Sequence, residues 1–82
     1  MTPTDRLRVR MVQNQMKLIQ EHLEAMSRDS HGMEYRPWKN EVDSLWKSLF
    51  EQVGGMTPET QKASLEMVRT LWMMYLSHYG QG

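Results

Sequence analysis

The 82 residues predict an all-α fold, a three-helix antiparallel bundle that dimerises. Three observations predict it. Apolar residues recur at steps of three and four along most of the chain. Prolines at 3, 37 and 58 stand where helices start, and glycines at 32, 54–55 and 80 stand where they stop. Two of the three segments carry more apolar surface than one small core needs.

The first helix is expected over about 3–29. Thr2 can cap it, Pro3 has no N–H to leave unpaired at the first position, and Asp5 favours the positive helix end. Val9, Val12, Met16, Ile19, Leu23 and Met26 follow a 3-4-3-4-3 seam. Leu7, Met11, Leu18 and Ala25 make a second stripe, and Arg8, Gln15 and His22 run between the two. The remaining face is polar.

A loop is expected between Ser30 and Arg36, with Gly32 as helix C-cap and Met33 folding back over the last turn. The residue before Pro37 is biased away from helical conformation, so the second helix is expected over 37–53. Trp38, Val42, Leu45, Trp46, Leu49, Phe50 and Val53 fall on one side of it, the cleanest amphipathic pattern in the chain. Gly54-Gly55 ends it. Thr57-Pro58-Glu59 then opens a third helix, expected over 57–79, and the short turn makes helices two and three antiparallel neighbours. Its expected core stripe is Leu65, Val68, Trp72, Tyr75 and Tyr79. Met67, Leu71, Met74 and His78 form a second stripe, and Met73 is exposed on the polar face.

At about 1.5 Å per residue the helices would measure about 40, 25 and 33 Å. The second cannot cover the first, so the turns carrying Leu7, Val9, Met11 and Val12 are expected to protrude. A homodimer would cover them, and its candidate interface is Leu7, Met11 and Leu18 against Met67, Leu71 and Met74.

Composition narrows the function. The chain, read as a single helical domain over 1–82, is short enough to bury only roughly 60–65% of its unfolded surface. The absence of cysteine removes disulfides, thiolate chemistry and Cys-based zinc sites. Ten basic residues balance ten acidic ones, so no global field draws the chain to nucleic acid or anionic lipid. No apolar run approaches a bilayer span and no secretory leader is apparent; a cytoplasmic protein without a membrane partner is expected. Nine methionines against a single phenylalanine give a core that adapts its shape, or an adaptable binding surface at Met67, Met73 and Met74.

No catalytic or metal constellation emerges. His22, His31 and His78 lie on different segments, and none of them pairs at the four-residue spacing of helical ligands. The serines have no strained elbow motif around them and Gly54-Gly55 is no phosphate loop, so neither an enzyme nor a cofactor is expected. Tyr35, Arg36 and Trp38, with Met73, are candidate partner contacts, because Tyr, Trp and Arg dominate interaction hot spots. Arg6, Arg8, Arg10 and Lys17 are candidate anion or nucleic-acid contacts at the start of helix one, against the helix dipole and without a recognisable nucleic-acid motif.

The function expected is therefore that of a small protein–protein interaction module, an adaptor, regulator or inhibitor that binds a larger protein. A nucleic-acid-associated helical protein and a structural subunit of a larger assembly are the alternatives. In size and style the chain resembles accessory proteins of bacteria and phages, though no motif carries that likeness.

Overall fold

Three helices and no strand make up the described residues of the computed structural model, which are 2–28 and 35–79, with Tyr35 and Tyr79 described in backbone only. They are α1 (Pro3–Arg28), α2 (Tyr35–Gly54) and α3 (Pro58–Tyr79). Together they form a rod of 44 × 19 × 17 Å. None of them is long and apolar enough to cross a membrane. The expected loop cap at Gly32, the Met33 fold-back and the closing Gly80-Gln81-Gly82 lie outside the described residues, as does the side chain of Tyr79.

α1 starts as the sequence predicts, with Asp5 N–H donating to Thr2 Oγ1 at 3.0 Å. Val12, Ile19, Leu23 and Met26 are buried, and Val9 and Met16 pack against them. α2 begins two residues before Pro37, so Arg36 is helical. Proline in a first turn lacks only an N–H that has no intrahelical acceptor there, and the bias on its predecessor is outweighed. All seven apolar residues of the α2 face lie in the core or against it. Trp46, Phe50, Trp72 and Tyr75 form an aromatic group across the α2–α3 seam, with Trp46 and Trp72 edge to face at 4.8 Å between centroids.

The N-terminal turns of α1 do not protrude. Asp5 is 2% exposed, and its carboxylate accepts hydrogen bonds from the Thr57 hydroxyl at 2.5 Å, the Thr60 hydroxyl at 2.8 Å and the Thr57 backbone N–H at 3.2 Å. The carboxylate thus satisfies donors at the start of α3 and places negative charge on that helix's positive end. About two turns of α1 further in, Val12 is fully buried. The turn between α2 and α3 is held from its other side as well. Gln61 donates to the Gly54 carbonyl at 3.2 Å, and Arg8 donates to Gln52 Oε1 at 3.1 Å. The Arg8 guanidinium lies where a Cβ on Gly55 would stand, at 2.5 Å. Neither Gly54 nor Gly55 has a left-handed backbone, so the missing side chain at 55 serves this close approach.

α3 is rotated from the expected setting. Its buried side is Thr60, Ser64, Val68, Leu71 and Tyr75, in steps of 4-4-3-4. Leu71, expected on the surplus stripe, is 5% exposed, while Leu65, expected in the core, is 46% exposed. Trp72 packs against the core from its edge. The cause lies at the helix start, where Thr60 must face Asp5, and Ser64, one turn on, donates to the buried Met56 sulfur. Small polar groups take the seam positions there, and Leu65 turns outward.

Two outcomes are expected. Leu71→Ala costs about 2–5 kcal/mol and Leu65→Ala less than about 0.5 kcal/mol, read as separate urea melting curves. Hydrogen bonds, led by that from the Thr57 hydroxyl, hold the Asp5 carboxyl below its ordinary 3.8 against the opposing effect of burial. A depressed folded value stabilises above the unfolded pKa and the stabilisation disappears as pH falls through the folded one. Thermal midpoints of the parent chain should therefore drop below about pH 4, and Asp5→Asn should lower the neutral midpoint while flattening that acid limb.

Candidate functional site

The fold leaves several large apolar side chains outside. Among the described residues, seven large apolar side chains remain more than a third exposed: Leu7, Met11, Leu18, Leu65, Met73, Met74 and Leu76. Single exposed apolar residues are ordinary, but these sort into faces. At 100° per residue, Leu7, Met11 and Leu18 fall within about 40° of one another on α1 and span about 16 Å. Leu7 is 60% exposed, the highest of the seven. This stripe borders one flank of α2. There Gln15 donates to Ser48 at 2.6 Å, and His22 meets Glu41.

The second face is on α3. Leu65 and Leu76 lie within about 40° of the half-buried Trp72 and Met73 about 100° from it, and Trp72 meets Phe50 at 5.1 Å between ring centroids. It borders the opposite flank of α2, where Tyr75 donates its hydroxyl to Asp43 and Lys39 pairs with the same carboxylate at 3.3 Å. Met73, foreseen as an exposed contact, is 58% exposed and lies at the margin of this face. Leu76 and Leu65 were not foreseen. The signal that could have found them is the row Thr60, Ser64, Val68, which marks the true seam of the helix once its hydroxyls are allowed inside.

The six candidate interface residues separate accordingly. Leu7, Met11 and Leu18 form a free stripe, but their expected counterpart does not exist as one. Leu71 is consumed by the core, and Met67 is half-buried against it, its sulfur 3.9 Å from Gln13 Nε2 of α1. Met74 lines an open groove of about 670 Å³ with Gln20, Leu23, Glu24 and His78. Of the candidate partner contacts, Arg36 is exposed at the start of α2, Trp38 is packed against the core, and the side chain of Tyr35 lies outside the described residues.

The basic candidates divide too. Arg6, Arg10 and Lys17 are exposed on one side of α1, within about 40°. Arg8 is turned away from them toward Gln52 and the C-terminal end of α2, where a cation complements the helix dipole. No cluster of three metal-ligating side chains occurs among the described residues.

His22 has both ring nitrogens 2.8 Å from acceptors, Nδ1 from the Leu18 carbonyl and Nε2 from the Glu41 carboxylate. Only the protonated ring donates to both. Burial works against the charge, yet the Leu18 carbonyl and then Glu41 outweigh it and raise the pKa above its ordinary 6.5. Comparison with known families, curated proteins and solved structures returned no match.

A raised folded pKa contributes stability that is complete below the unfolded value and is lost as pH rises through the folded one. The thermal midpoint should therefore decline as pH rises above 6.5, and His22→Gln should shrink that decline while lowering the midpoint at pH 5–6.

Proposed function

We propose that the chain is a small protein–protein interaction module that acts by binding a larger protein partner, and that it self-associates through α1. The observation that carries this reading is the pair of apolar faces left open on opposite flanks of α2 although the core behind them is filled. An antiparallel three-helix bundle is the arrangement favoured by the pairings Arg8–Gln52, Gln15–Ser48 and His22–Glu41, in which one number rises as the other falls.

Self-association uses the Leu7, Met11 and Leu18 stripe alone. These positions and Asn14 follow the 4-3-4 spacing of a helix seam, with one polar residue among the apolar ones. A two-fold axis midway along it sets Leu7 of one copy against Leu18 of the other and Met11 against Asn14, the self-complementary geometry of a closed dimer. The nucleic-acid alternative draws on Arg6, Arg10 and Lys17 but loses Arg8 to Gln52, in a chain of zero net charge.

Light scattering should give a mass near twice 9.8 kDa for the parent chain, and Leu18→Glu should return it to the monomer with its helical content unchanged. A monomer at all concentrations for the parent chain removes the dimer from this reading.

A further inference from the structure

We propose that α3 is a releasable cover, which leaves the α1–α2 hairpin as one unit by turning about Gly54-Gly55 and is latched by the Asp5 carboxylate. The inference rests on how the three helices are joined and stands apart from self-association. Among the described residues, α1 and α2 each bury four apolar side chains, spread from Val12 to Met26 and from Val42 to Val53. These two helices are also tied side by side through Arg8–Gln52, Gln15–Ser48 and His22–Glu41, bonds that recur every two turns over about 21 Å of α1. α3 is joined differently. The first places on its inward side hold Thr60 and Ser64, and its buried apolar side chains begin only at Val68, near the middle of the helix.

Polar groups at the two ends of α3 fasten it. Thr57 and Thr60 hold Asp5 at the start, and near the other end the Tyr75 hydroxyl donates to Asp43. Between them the Met67 sulfur lies 3.9 Å from Gln13 Nε2, a long and exposed contact. The aromatic layer toward α2 is closed on one side only, because Trp72 stays half-buried. A segment with little apolar burial and few fastenings opens at lower cost than the rest of a fold. The glycine pair supplies the hinge, since glycine accepts wide changes of φ and ψ. Opening breaks the Asp5 cluster but leaves Gln15–Ser48 and His22–Glu41 in place, on the opposite flank of α2. It uncovers the side of α2 that carries Trp46 and Phe50, so the position of α3 sets when that apolar surface is accessible.

Amide hydrogen exchange of the full chain, read residue by residue by NMR over a series of low urea concentrations, tests this. The amides of Ser64, Val68 and Leu71 should share one opening equilibrium, at least about tenfold more populated than that of Val12, Ile19 and Leu49. Its urea dependence should be shallower, because undocking one helix exposes less surface than unfolding the chain. Two variants separate a unit from the whole. Ser48→Ala removes a bond that persists when α3 is open, so it should speed exchange about fivefold in α1 and α2 and leave α3 unchanged. Asp5→Asn removes bonds made only in the closed form, so it should speed exchange about tenfold or more in all three helices. The same order of opening should hold in Leu18→Glu, where pairing through α1 cannot supply the difference. One opening equilibrium and one urea slope for all three helices overturns the proposal. So does slower exchange in α3 than in the α1–α2 seam, an equal effect of Ser48→Ala on α3, or loss of the order in Leu18→Glu.

Discussion

The carboxylate of Asp5 is the point on which the arrangement of this chain turns. It lies at the N-terminal end of two helices, three residues into α1 and against the first turn of α3, and it accepts three hydrogen bonds from Thr57 and Thr60. A charge so thoroughly removed from water is tolerable only when its lone pairs are filled and a positive potential surrounds it. Two helix starts and three donors supply both conditions. The bond pattern joins residues more than fifty positions apart, so it closes a long loop at the same time as it caps a helix.

That lock has a consequence along the whole of α3. A hydroxyl at position 60 must face inward to reach Asp5, and a helix is rigid enough that the setting of its first turn fixes the rest. Ser64, Val68, Leu71 and Tyr75 then follow Thr60 inside, and Leu65, Leu76 and Met73 are turned out beside Trp72. Had the apolar residues alone decided the rotation, Leu65 would be buried. The α3 apolar face is thus produced by a polar requirement at the far end of the helix. The α1 stripe has a different origin, since the seam from Val9 to Met26 fills the core and Leu7, Met11 and Leu18 are left over on another side.

Those origins explain what could be read from the sequence. Helix positions were legible because capping and period are local: Thr2, Pro3, Thr57 and Pro58 mark the starts, and the seams of α1 and α2 contain the residues that their spacing assigns to them. α2 starts two residues before Pro37 because the conformational bias on the residue before a proline is only a preference. The rotation of α3 was illegible for a stronger reason. It depends on a carboxylate and two hydroxyls brought together from distant segments, and such a contact leaves no periodic trace. Arg8 belongs to the same class. By residue type it joins Arg6 and Arg10, whereas the structure ties it to Gln52 across Gly55. The open α1 stripe could be recognised in advance, while its expected partner stripe on α3 could not survive the rotation that buried Leu71.

The geometry also bears on how a chain this small could serve as an interaction module. Both apolar faces border α2, but on opposite flanks: Ser48 and Glu41 mark the side toward α1, and Asp43 and Phe50 the side toward α3. Pairing two copies through Leu7, Met11 and Leu18 would leave each α3 face uncovered. A dimer built in that way presents two identical faces, so a partner that engages both would gain from linkage without any new contact. Economy of core and surplus of surface are then two aspects of one design, in which α2 keeps its apolar side for the core and α1 and α3 each retain an apolar edge outside it.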